Sequence, residues 1–216
     1  LEALVERTLN GHGFDAATWT PVVADMVQRV LATPLDHSNI CLAAVGLEQR
    51  LNELEFYYSL AHLRPDHLRR VLELHGQDSG PLQDMIETLE FTPLRGYMKG
   101  YIDLVFESGG RFYLADYKSN WLGAEVAAYR RSRLDEAMAR ESYGLQYLIY
   151  TVALHRYLRL RVPNYHYDRH FGGVFYLFLR GMDPAWGEDY GVFRDRPPAE
   201  LIRALDVLMA TGTVTA

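Results

Sequence analysis

The sequence predicts a mixed α/β fold, a small central mixed sheet flanked by helices, in one domain. Three observations point there. Two runs rich in Tyr, Ile, Val and Phe between residues 97 and 118 flank Gly109-Gly110, the mark of a β-hairpin. Apolar residues recur at helical spacing in 21–32, and the pattern is helical again from Gly123 to about Arg161. Gly172–Leu179 is a continuous apolar run of strand length.

In chain order, the first third reads as helical. Thr20-Pro21 offers a cap followed by proline at the first helical position, after which Val23, Met26, Val27, Val30 and Leu31 share one face. Leu54, Phe56, Tyr58 and Leu60 alternate with Glu53, Glu55, Tyr57 and Ser59, which predicts a strand over 52–60 with one core face. Pro65-Asp66 starts a short helix, and Gly76–Gly80 reads as loop. The hairpin follows. The helical stretch after it breaks near Ser142-Tyr143-Gly144. The 172–179 run predicts a strand buried on both faces, and a last helix from Pro197-Pro198 turns Leu201, Leu205 and Leu208 inward. No repeat, low-complexity tract or linker divides residues 1–216.

Composition narrows the class. Hydrophobic residues make up 49% and charged residues 23% of the 216, as in soluble globular chains. No apolar run approaches the roughly eighteen residues of a membrane span, and no signal-peptide pattern opens the chain. A single cysteine, Cys41, excludes an internal disulfide and a cysteine-rich zinc cage. These features predict a cytoplasmic location. The formal charge is −6 with eight histidines counted neutral, whereas a chain that holds DNA unaided usually carries a basic surplus. Work on DNA would need metal ions to offset the field, or a partner to deliver the strand.

The hairpin carries the chemistry. With Gly109 and Gly110 as turn residues, Ser108 pairs with Arg111, and the register carried down the ladder sets Asp103 opposite Asp116. Lys118, two residues on, points to the same face. Opposed carboxylates repel and Asp is a poor strand residue, so something positive must compensate. A hard divalent cation does this, and Mg²⁺ takes one or two carboxylates plus water and substrate phosphate. A lysine beside such an ion can orient or deprotonate an attacking water. On the hairpin alone, a structural ion pair between Lys118 and the aspartates is an equal reading. Gln146 and Tyr150 share a helix face at i, i+4, a polar pair suited to a phosphate or base.

Taken together, Asp103, Asp116-Tyr117-Lys118 and Gln146…Tyr150 resemble the PD-(D/E)xK nucleases of the RecB type. The similarity extends through Gly100–Phe106, Ala115–Gly123, Gln146–Leu158 and His170–Gly181, and is densest from residue 93 to 182. The resemblance implies a restriction-endonuclease-like fold and a Mg²⁺-dependent deoxyribonuclease of the exodeoxyribonuclease V type, serving double-strand-break repair and recombination. Mn²⁺ or Ca²⁺ could substitute in binding. It implies single strands of unwound bacterial DNA as substrate and RecC- and RecD-like partner subunits. Asp103, Asp116 and the Tyr117 backbone carbonyl would bind the metal, Lys118 would take the water-activating position, and Gln146 with Tyr150 would contact substrate. Glu53 or Glu55 is a candidate auxiliary acid.

Two departures qualify the match. The family's metal-binding histidine lies on an upstream helix, and none of His12, His62, His67 and His75 has that setting; the last three are expected at the surface. The chain is therefore expected to begin downstream of that helix, within a longer helicase–nuclease polypeptide, and to be weakly active alone. No Gly-x-x-x-x-Gly-Lys-Ser/Thr loop is present, so no ATP site is expected here. The alternative is a non-catalytic docking domain that keeps the fold; intact Asp103, Asp116 and Lys118 argue against it, because decayed copies should lose costly buried charges first.

Overall fold

A computed structural model describes residues 1–76, 92 and 94–215. Two helices open the chain, α1 (Glu2–Gly11) and α2 (Ala16–Ala32), followed by strand β1 (Arg50–Leu63) and helix α3 (Pro65–His75). Strands β2 (Leu94–Ser108) and β3 (Arg111–Lys118) form the hairpin. Helices α4 (Arg131–Arg140), α5 (Tyr143–Arg161) and the single turn α6 (Tyr167–His170) lead to β4 (Phe171–Phe178). Strand β5 (Val192–Asp195) and helix α7 (Ala199–Thr211) close the chain.

The five strands form one sheet in sequence order, antiparallel except for the parallel pair β3–β4. A parallel pair needs a long crossover, and α4 and α5 supply it. Core residues lie on both faces of the sheet. The larger side holds Leu114, Val174, Tyr176 and Phe178 against α3, α4, α5 and α7. The smaller holds Leu104, Phe106, Ala115, Phe175 and Leu177 against Val30 of α2, Leu35 and Leu42. β4 is thus buried on both faces, as its apolar run requires. Helix α5 buries Tyr147, Leu148, Val152, Ala153, Leu154 and Leu158 around most of its circumference, which makes it the central helix of the larger core. Each such side chain contributes about 2 kcal/mol through burial. The result is a five-stranded mixed sheet flanked by helices, consistent with a PD-(D/E)xK nuclease-like fold.

Several boundaries differ from expectation. Helix α2 starts ahead of Thr20-Pro21 because Asp15 caps it, accepting from Ala17 N at 3.1 Å and Thr18 Oγ1 at 2.6 Å. Pro21 therefore lies inside the helix, where its missing N–H costs one early bond. β1 extends beyond 52–60 at both ends through its ladder with β2. The last helix begins at Ala199, with Pro198 as its cap. His62 is exposed, but His67 and His75 are half-buried, and His67 Nδ1 lies 2.9 Å from the Gly212 carbonyl. Past Gly76, the loop expected to Gly80 lies outside the described residues.

Candidate active site

Gly109 and Gly110 have φ of 59° and 75°, the left-handed pair that a two-residue hairpin turn requires. This turn fixes the ladder from Ser108↔Arg111 to Leu104↔Ala115 in the expected register. Asp103 and Asp116 lie one step beyond its last pair. There a side chain takes over from the backbone: the Tyr117 N–H donates to Asp103 Oδ2 at 2.9 Å.

The neighbouring ladder is irregular at the same level. Asn52↔Leu104 and Leu54↔Ile102 pair, while Glu53 and Asp103 between them do not. Glu53 has φ +52°, a left-handed conformation that costs about 1–2 kcal/mol in a non-glycine residue. Across this step the side of β2 facing the larger core passes from even to odd numbers, from Ile102 to Val105. Glu53 and Asp103 thus stand at one level between the paired residues on either side, and Asp116 stands one step past the last β2–β3 pair. Glu55 stands apart, exposed and ion-paired with Lys99 at 2.7 Å.

Asp116 and Lys118 both turn toward the larger core, where they are among its few buried charges. Lys118 Nζ lies 2.5 Å from Asp116 Oδ2 and donates to Gln146 Oε1 at 3.0 Å. The Tyr143 and Tyr176 rings stand 3.9 and 4.9 Å from the same nitrogen. A carboxylate, an amide oxygen and two ring faces thus surround the Lys118 amine. Gln146 also accepts from the Tyr176 hydroxyl at 3.1 Å, and its Nε2 donates to Tyr150 at 2.9 Å. Tyr143 donates in turn to Asn120 Oδ1 at 3.2 Å. Burial raises the Asp116 pKa; the Lys118 hydrogen bond and charge oppose this, and Asp103 pushes it further up.

The structure thus brings together Asp103, Asp116, Tyr117, Lys118, Gln146 and Tyr150. It places Glu53 level with Asp103 and Glu55 outside. Sequence reasoning missed Tyr176, Tyr143 and Asn120. Tyr176 had one visible signal: it is the single hydroxyl within the apolar run of β4, and a buried hydroxyl needs a partner. It sits opposite Asp116 in the parallel ladder. Arg156 and Arg159, near the end of α5, both bind Asp206.

The donor set fits a hard cation. Asp103 and Asp116 offer oxygen only, and the mutual repulsion of their carboxylates would be relieved by positive charge. Among the described residues no three His, Cys, Asp or Glu side chains are grouped to hold a metal, so water and substrate would complete the shell. No helix among the described residues is long and apolar enough to cross a membrane.

No protein-family model matches the chain. Curated relatives do. It is 40% identical over 210 residues to the RecBCD enzyme subunit RecB of Escherichia coli K12, covering 97% of this chain and 17% of that protein. The RecB subunit of Haemophilus influenzae is 43% identical over 192 residues, covering 88% and 15%. That of Mycobacterium tuberculosis H37Rv is 39% identical over 220 residues, covering 92% and 20%. The chain therefore spans between 15% and 20% of the length of these relatives.

Proposed function

The chain belongs to the RecB family along nearly all of its own length, and from that premise we propose that it hydrolyses DNA phosphodiesters as a divalent-metal-dependent nuclease domain. The observation that carries this reading is the buried Lys118 ammonium, fixed on four sides beside the Asp103–Asp116 pair. A structural ion pair would need only Asp116.

Asp103, Asp116 and the Tyr117 carbonyl would hold Mg²⁺, which when bound supplies a Lewis acid for the scissile phosphate. Lys118 donates hydrogen bonds to the attacking water or to a phosphate oxygen and offsets charge that builds there. Its contacts with Asp116 and Gln146 hold the amine in one place, which suits it to orienting that water. Gln146 fixes the height of the amine, and Tyr150, which accepts from Gln146, keeps its own hydroxyl proton for a substrate oxygen.

By the same family premise, the whole polypeptide works as an exodeoxyribonuclease V-type enzyme with RecC- and RecD-like subunits, on single strands from unwound duplex ends. The test is cleavage of a labelled single-stranded oligonucleotide by the complete polypeptide with Mg²⁺. Cleavage that is lost with a chelator, and falls about 10²-fold or more in Lys118→Ala, is expected. A Lys118→Ala protein that cuts at the wild-type rate overturns it.

A further inference from the structure

We propose that the cleft beside Trp121 is a single-stranded DNA subsite adjoining the catalytic centre; the proposal rests on the nuclease reading above for its position in the reaction. Trp121 follows Lys118 by three residues, within about 10 Å along an extended chain. Trp121 is 66% exposed, which leaves the indole open to a planar ligand. The ring borders a cleft of about 540 Å³ whose charged lining is Arg130, Arg133, Arg140 and Glu136. A further arginine joins from β4's end: Arg180 Nε donates to the Ser119 carbonyl at 3.0 Å, and its guanidinium lies 5.9 Å from the Trp121 ring.

Four guanidiniums thus stand against two carboxylates, Glu136 and Glu141, on a chain whose net charge is −6. Arg133 is tied to Glu136 and Arg140 to Glu141, whereas Arg130 and Arg180 have no acidic partner among the described residues. A polyanion with flat, stackable groups matches this surface. Phosphates meet the arginines, and a base stacks on the indole without regard to sequence. Leu122, Ala127, Ala128 and Ala137 complete the lining, and beside them the arginines favour a polyanion over a protein partner, whose interface core would be depleted of charge. Through its Ser119 bond Arg180 stands beside the residue after Lys118, so basic charge lies between Trp121 and the catalytic lysine.

The test uses oligo(dT) carrying one 5-iododeoxyuridine, photo-crosslinked to the complete polypeptide in EDTA and mapped by mass spectrometry. A cross-link at Trp121 is expected, competed by unmodified oligo(dT) and not by the same concentration of blunt duplex. In the Arg130→Ala/Arg180→Ala double variant, which leaves the indole in place, its yield should fall about tenfold. The salt dependence of the remaining cross-link should flatten, by about 0.7 in logarithmic slope for each phosphate contact removed. Absence of a cross-link at Trp121, an unchanged yield in the double variant, or equal competition by duplex overturns the subsite. Mg²⁺-dependent cleavage, scored separately, judges the nuclease reading: a cutting enzyme without this cross-link sinks only the subsite, and a cross-linked protein that never cuts sinks only the nuclease.

Discussion

Lys118 Nζ donates to Gln146 Oε1 at 3.0 Å, so an amide on helix α5 sets the position of an amine on strand β3. The same oxygen accepts from Tyr176, which leaves the amide little freedom to turn. Removing it should free the lysine to swing toward Asp116 alone. Gln146→Ala is expected to lower cleavage by about 10²-fold, as a misplacement near 1 Å can, with Mg²⁺ affinity nearly unchanged. Steady-state cleavage beside metal titration checks this. Wild-type turnover in the variant would mean that Asp116 is sufficient to hold the amine.

The two aspartates should both be needed for the cation and differ in their effect on the fold. Asp103→Ala and Asp116→Ala should each abolish Mn²⁺ binding, read by electron paramagnetic resonance, since one carboxylate holds a hard ion weakly. Asp116→Ala also leaves the buried Lys118 without its counter-charge and should be the less stable variant in urea. Binding retained in both would remove the ion from the hairpin.

Asp195 gives the fold a pH signature independent of catalysis. Burial holds its carboxyl above the usual carboxylate range, against hydrogen bonds from Tyr147 at 2.8 Å and the Arg196 N–H at 2.7 Å. The folded state then binds the proton more tightly than the unfolded chain. This contribution is fully present below the unfolded pKa and is lost as pH rises through the raised folded value. Asp195→Asn removes the loss, so its stability relative to wild type should climb from about pH 4 to pH 7. Urea midpoints at several pH values measure it, and parallel curves would contradict the burial argument.

The hairpin turn offers a purely conformational test. A Cβ on Gly109 or Gly110 would meet nothing within 4 Å, so any cost of alanine comes from φ alone. Gly109→Ala and Gly110→Ala should each lose about 1–2 kcal/mol in urea unfolding, and Asn at either position should lose less. Equal stability of the alanine variants would exclude the left-handed turn.

What the sequence revealed of this centre divides along the reach of its contacts. Asp103, Asp116 and Lys118 were legible because two glycines fix a register that runs only a few residues either way. Gln146 and Tyr150 were legible as a pair, one helical turn apart. Their link to Lys118 was not, because it depends on how α5 lies on the sheet. Tyr143 depends on the same packing of α5, and Tyr176 on the parallel alignment of β3 with β4, set by a crossover of some fifty residues with no local pattern to report it. β5 escaped notice because four residues are too few for a period. The start of α2 was misplaced because two capping signals, Asp15 and Thr20-Pro21, compete and only the first is used. The strain at Glu53 has no signature in sequence at all.

The centre is also divided in the order of its assembly. The tie between Asp103 and Tyr117 closes a loop of fourteen residues, which a hairpin can form within microseconds. Lys118 to Gln146 spans 28 residues, and Tyr176 to Gln146 another 30. Contacts of greater separation wait for the helices and β4 to dock. An emerging or partly melted chain can therefore gather its acidic pair while the amine still moves freely, and the last part to arrive is the clamp that aims it. A domain built in this order pairs its two aspartates well before it fixes the lysine between them and helix α5.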